Sequence, residues 1–189
     1  YALMRKGNAV GIFQFESPGM RKYLRELKPT HIEDLIAMNA LYRPGPMNYI
    51  PDYIDRKHGR KKVVYPHPLL EEVLKPTNGI MVYQEQIMQA AQIMAGYTLG
   101  AADLLRRAMG KKNMAEMQKQ RAIFVEGAKN KGIDGKAAEE VFTIMEKFAE
   151  YGFNKSHAVA YSVISYQTAF LKKYYPAEFF AALLSSELG

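Results

Sequence analysis

The sequence predicts a mainly α-helical fold, and three observations carry that prediction. Apolar residues recur at helical spacing along most of the 189 residues, capping residue types precede several of those runs, and glycine or proline follows them. Strand signals are confined to Val10–Phe15 and Ile80–Tyr83, so at most a small strand pair is expected.

Taken in order, Thr30 with Glu33 forms a capping-box pattern ahead of Ile32, Leu35, Ile36 and Met38. That helix should stop at Arg43, because Pro44 disfavours helical backbone in the residue before it. Asn113 and Glu116 repeat the pattern before a long segment that Gly132 ends. Asp134 is placed to cap a helix running to about Ala149, ahead of Gly152. A long amphipathic helix follows Ser156, read as its cap, and ends by Pro176; a last one covers Ala177 to about Glu187. Turns concentrate in Arg43–Pro46 (RPGP) and Lys75–Gly79 (KPTNG), and no internal repeat or low-complexity tract appears.

Composition narrows the class of protein. Hydrophobic residues make up 48 %, with 13 Tyr, 9 Phe and 11 Met, enough to build a core and to exclude a disordered chain. The absence of cysteine removes disulfides, thiolate nucleophiles and Cys-based zinc sites, and suits a cytoplasmic protein. The opening YALMRKGNAVG has no signal-peptide pattern and starts mid-pattern without an initiator Met, as an internal segment would; the longest apolar run, PAEFFAALL, is too short to span a bilayer. Lys and Arg number 26 against 19 acids, a formal charge of +7. Such a surface attracts phosphate backbones, anionic lipids or acidic proteins, and charge alone does not choose among them. The bases gather in Arg56–Lys62 and Arg106–Lys112, with Lys155 beside a helix start.

Two stretches can carry chemistry. On a helical wheel of Thr98–Lys112, Leu104, Leu105, Ala108 and Met109 share the arc expected to face the core, opposite Arg106, Arg107, Gly110 and Lys111. Gly110 leaves room for a ligand to approach the backbone, or simply ends the helix. Arginine forks and a lysine suit phosphate oxygens. The competing reading is a solvated basic face in which Asp103 pairs with Arg107 at i,i+4, and spacing alone leans towards it. In Gly152–Tyr161 (GFNKSHAVAY), Lys155 and His157 sit at a helix N-terminus, whose partial charge disfavours a cation unless an anion is bound there. His157 and Tyr161 lie one turn apart, so their rings can stack on a base or pack at the core edge. RPGP reads as a rigid turn with Arg43 exposed, and YQEQ (Tyr83–Gln86) as a helix start whose polar groups hold a loop. No phosphate-binding GxxxxGK[ST] loop, no metal-spaced pair among the four histidines and no Asp-x-Asp pair occurs, so neither a zinc site nor a two-metal centre is expected within these residues.

Together the motifs resemble one family, the bacterial C-family replicative DNA polymerases (DNA polymerase III α subunits). The matching stretches are GIFQFES-x-GM (11–20), ALYRPGPM (40–47), YIDRKHGR (53–60), YQEQIMQ-A (83–90), GYTLG-AD-LRRAMGKK (96–112) and YGFNKSH-x-AYS-x-SYQTA (151–169). They span nearly the whole chain in family order and look like the general replicative type rather than the exonuclease-carrying type.

The resemblance implies a multi-helix fingers domain at residues 16–189, with residues 1–15 left from its junction with the palm. It implies a DNA-directed DNA polymerase as the parent, with the fingers closing on the incoming dNTP and placing the template base. Arg106, Arg107 and Lys111 would meet the triphosphate, and Lys155, Ser156 and His157 the nascent base pair, with Arg43, Gln84 and Tyr161 as neighbours of the site. The catalytic aspartates and their two Mg ions would belong to the palm, leaving this segment no catalytic residue, no metal and no activity alone. Primed template DNA, dNTP, clamp, clamp loader and proofreading subunit would be the parent's partners, and no membrane. A stand-alone basic helical nucleic-acid-binding module and an interaction scaffold are the alternatives.

Overall fold

The computed structural model describes residues 1–110, 114–149 and 151–187. Among them the protein is mainly α, with eleven helices and no strand. In chain order the helices are α1 (Ala2–Arg5), α2 (Pro18–Leu27), α3 (Ile32–Leu41), α4 (Ile50–Lys57), α5 (Glu71–Leu74), α6 (Gln84–Ala95), α7 (Leu99–Gly110), α8 (Met114–Asn130), α9 (Gly135–Ala149), α10 (Lys155–Tyr174) and α11 (Pro176–Glu187). They fall into two compact units, Tyr1–Ile54 with Ser156–Gly189, and Asp55–Lys155.

In the first unit the core is built from α1 to α3 and the turns between them, with Met4, Ile12, Phe15, Leu24, Leu35, Met38 and Leu41 fully buried. Val10–Phe15 is not a strand: Ile12 and Phe15 donate their N–H groups to the carbonyls three residues back, which makes successive turns. The cap of α3 falls one residue later than Thr30 and Glu33 suggest. His31 is the N-cap, and the buried Asp34 carboxylate accepts the N–H of Thr30 at 2.8 Å and of His31 at 3.4 Å. Asp34 can reach both donors because it stands at N3, where a side chain folds back over the first turn. The helix stops at Leu41, two residues before the expected end.

The second unit packs α6, α7, α8 and α9 around one core. α6 buries Ile87, Ala90, Ala91, Met94 and Ala95, and α9 buries Ala138, Val141, Phe142 and Met145, both at the i, i+3, i+4, i+7 spacing of a single helix face. Tyr97, Phe124 and Phe142 form a ring series with centroids 6.4 and 5.4 Å apart. Gly96 and Gly132, both at positive φ, end the helices before them, and Asp134 caps α9 by accepting the N–H of Ala137 at 3.0 Å. Asn113, expected to cap α8, lies outside the described residues. The second strand candidate reduces to one parallel bridge between Tyr83 and Phe153.

Gly127 sets how closely α8 approaches α6. A Cβ there would collide with the carbonyl oxygen of Ala95, whereas one on Gly100 would meet nothing within 4 Å. Gly127→Ala should therefore cost about 1–3 kcal/mol through overpacking. Gly100→Ala, in helix α7, should be neutral or stabilising by up to about 1 kcal/mol. Thermal unfolding of the two variants side by side checks the contrast.

Candidate functional site

The first turn of α6 organises the polar part of the second unit. Gln86 is buried, and its Oε1 accepts the N–H groups of Val82 at 2.8 Å and Tyr83 at 3.0 Å. Its Nε2 donates to the Val73 carbonyl at 3.1 Å and the Thr77 hydroxyl at 2.9 Å, so one side chain fixes residues 73–83, the loop-holding role read from YQEQ. Gln84 faces the other way. Its Nε2 donates to the Gly152 carbonyl at 3.1 Å, and its Oε1 accepts from Nη1 of Arg106 at 3.1 Å.

α7 presents its arginines as the wheel expects, with one correction. Ala102, Leu105, Ala108 and Met109 are buried, but Leu104 is 64 % exposed. The inward arc is carried by i, i+3 and i+7 positions, and Leu104 falls just past its edge. Arg106 lies at the opposite edge, half-buried, and Arg107 is exposed. Both hold the same carboxylate: Arg106 Nη2 is 2.8 Å from Asp103 Oδ1, and Arg107 Nη2 is 2.8 Å from Oδ2. The Arg106 hydrogen bond, with the charges of both arginines, keeps the Asp103 carboxyl below its ordinary range. The clamp is thus present above the ordinary carboxylate pKa and is lost as pH falls through the lowered one. The i,i+4 pair of the solvated-face reading exists, and Arg106 shares it. Gly110 is the last residue of α7, with open space where a side chain would stand.

Lys155 is the first residue of α10, so Ser156 lies inside the helix rather than at its cap. The cation-at-a-helix-start argument changes accordingly, because an anion is already there. The Glu85 carboxylate accepts the Lys155 N–H at 3.0 and 3.1 Å, and the Lys155 ammonium sits 5.5 Å from the centre of the Tyr83 ring. Glu85→Ala should fray this turn at a cost of about 1 kcal/mol. Faster amide exchange at Lys155 and Ser156, with no change at α9, is the expected observation.

Arg43, Ser156, His157 and Tyr161 belong to the first unit. The exposed His157 stacks on Tyr161 with centroids 4.0 Å apart, and Tyr161 in turn meets Phe13 at 5.2 Å, the ring pairing that their spacing predicts. Arg43 is not the exposed side chain read from RPGP. It is half-buried, donates Nε to the Ala40 carbonyl at 3.0 Å, and burial pushes its pKa down. Lys111 lies outside the described residues. The structure thus joins Arg106 and Arg107 through Asp103, Arg106 directly to Gln84, and the Lys155 backbone to Glu85; Asp103 and Glu85 are two acids absent from the candidate residues. Asp103 was visible at i,i+4; Glu85 had no sequence signal, since its partner is seventy residues away. Among the described residues no group of three or more His, Cys, Asp or Glu could hold a metal ion, and no helix is long and apolar enough to cross a membrane.

Residues 1–132 match the family described as the bacterial DNA polymerase III alpha subunit finger domain, and the chain belongs to that family. Among individual proteins, it is 60 % identical over 186 residues to the DNA polymerase III subunit alpha of Xylella fastidiosa, covering 98 % of the chain and 16 % of that protein. It is 61 % identical over 188 residues to the same-named protein of Neisseria meningitidis, covering 100 % of the chain and 16 % of that protein. Over 195 residues it is 56 % identical to that of Pseudomonas aeruginosa, covering 100 % and 17 %. The chain therefore spans about one sixth of the length of the curated relatives it matches.

Proposed function

We propose that this chain is the fingers portion of a DNA-directed DNA polymerase, binding the triphosphate of the incoming dNTP and helping to place the template base. Residues 16–189 would form the fingers and residues 1–15 the junction with the palm. The observation that carries this reading is the pair of arginines sharing Asp103 at the end of α7, with Gln84 linking Arg106 to the turn before Lys155. Phosphoryl transfer rests on positioning and on charge set against the phosphate oxygens, and guanidinium forks supply both. Arg106, Arg107 and Lys111 take the triphosphate; Lys155, Ser156 and His157 face the nascent pair, with Arg43, Gln84 and Tyr161 as neighbours. His157 on Tyr161 offers a ring surface for a base. Two Mg ions would be held by carboxylates outside residues 1–189, and the segment alone would not extend a primer. Primed DNA, dNTP and the other replicase subunits would be partners of the complete protein, in the cytoplasm.

A photoreactive dNTP analogue, cross-linked to the complete subunit on primed template, tests this. Adducts should map to residues 106–112 and 155–161 and be lost with excess dNTP. Adducts confined to other segments would overturn the assignment. Primer extension by purified residues 1–189, free of host polymerase, would overturn the inactivity. If instead these residues alone bound duplex DNA with a steep salt dependence and no nucleotide dependence, the stand-alone module would replace the fingers reading.

A further inference from the structure

Gln84 is the first residue of α6, yet its carboxamide makes no hydrogen bond within that helix. The first turn is closed instead by Gln86, which accepts the N–H of Tyr83. Both side-chain hydrogen bonds of Gln84 leave the helix: Nε2 donates to the Gly152 carbonyl, and Oε1 accepts from Arg106 Nη1, each at 3.1 Å. Only an amide meets both demands, because Gly152 offers an acceptor and Arg106 a donor. The backbone holds the same place. Gln84 donates its N–H to the Phe153 carbonyl at 3.0 Å, and Phe153 donates to the Val82 carbonyl at 3.1 Å. Gln84 is therefore anchored to residues 152–153 through main chain and side chain, and it reaches Arg106 from a fixed base. All of these residues lie in the second unit.

A guanidinium carries five N–H donors in one plane. In Arg106, Nε and Nη2 donate to Asp103 Oδ1 at 3.0 and 2.8 Å, and Nη1 donates to Gln84. One N–H on each terminal nitrogen is left without a partner among the described residues. Asp103 stands one turn back on the same helix and holds the guanidinium through a single oxygen, about which the plane could still swivel. Gln84 supplies a second point of attachment, from outside α7. Arg107, held by Asp103 alone among the described residues, lacks that second point.

We infer that Gln84 is a positioning residue. It sets the plane of the Arg106 guanidinium so that the two remaining N–H groups meet the triphosphate, and it ties that alignment to the turn ahead of Lys155. The inference rests on the nucleotide-binding reading above. Donors already aimed at the phosphate oxygens need no reorganisation during the reaction, so losing the second anchor should affect both nucleotide affinity and rate.

A double-variant cycle in the complete subunit tests this. Gln84→Met keeps an unbranched side chain of similar length and removes both hydrogen bonds. Alone it should lower kcat/KM for dNTP about tenfold, raising KM and lowering kcat, with affinity for primed DNA unchanged. In an Arg106→Ala background the same substitution should lower it less than about twofold further, since its effect passes through Arg106. A loss that persists undiminished in that background would overturn the inference. So would normal kinetics of Gln84→Met beside an impaired Arg106→Ala; either result leaves the nucleotide-binding reading standing. A parallel loss of primed-DNA affinity would also overturn it, by showing a general disturbance of α6 and not of Arg106. Normal nucleotide dependence of Arg106→Ala itself would overturn both.

Discussion

Arg107→Ala in the complete polymerase subunit is expected to lower kcat/KM for dNTP incorporation about ten- to a hundredfold, while affinity for primed DNA changes little. One charge-assisted hydrogen bond to a phosphate oxygen is worth about 1.5–3 kcal/mol, and each 1.4 kcal/mol is tenfold. A triphosphate needs its charge met when bound and again as pyrophosphate leaves, so both KM and kcat should move. Arg107 is the cleaner probe of the two. It is 63 % exposed and held only by Asp103 among the described residues, so its removal should leave folding intact. Arg106 also binds Gln84, so Arg106→Ala should add a local structural loss to the kinetic one. Because both arginines share one carboxylate, the double variant should lose less than the sum of the single losses. Arg107→Lys should recover part of the rate, keeping the charge without the planar fork. Steady-state kinetics on saturating primed template decides this, and unchanged nucleotide dependence in both single variants and the double variant would return α7 to a solvated basic face.

The largest stability effect is expected at Gln86. Its side chain makes four hydrogen bonds inside the protein, two of them to the buried N–H groups of Val82 and Tyr83. Gln86→Ala strands both donors and opens a void, and each buried unsatisfied group costs about 1–3 kcal/mol. A total of about 3–5 kcal/mol is expected, read by denaturant unfolding and by accelerated amide exchange across residues 73–83. Gln86→Glu keeps the two acceptor contacts and loses the two donated ones, so it should fall between wild type and Gln86→Ala. Equal stability of all three would show that the loop is held by its apolar residues alone.

Much of this was legible in the sequence because it is local. Helices α3, α9 and α11 begin and end within two residues of where Thr30, Arg43, Asp134, Ala149, Ala177 and Glu187 put them, since caps and prolines act on backbone groups within a turn. The His157–Tyr161 stack and the Asp103–Arg107 pair follow from one-turn spacing. What could not be read depends on distant partners. Lys155 looked like a cation waiting for a ligand because Glu85, its backbone's anion, is seventy residues back. Leu104 looked buried because a wheel gives the arc but not how far the neighbouring helices extend over its edge. α10 looked ordinarily amphipathic, and only its neighbours reveal that the serine side faces inward.

The carboxylate shared by Arg106 and Arg107 has a consequence for selectivity. Two guanidinium groups side by side repel each other, and Asp103 keeps them aligned when nothing else is bound. It is therefore a resident competitor, tethered in place at high effective concentration. An anion bearing a single charge would replace Asp103 one for one and gain little. A ligand with several adjacent charges could engage both forks at once and leave Asp103 free to turn to water. If α7 meets phosphate as proposed, the pair would discriminate by charge count, favouring a triphosphate over anions that can engage only one fork.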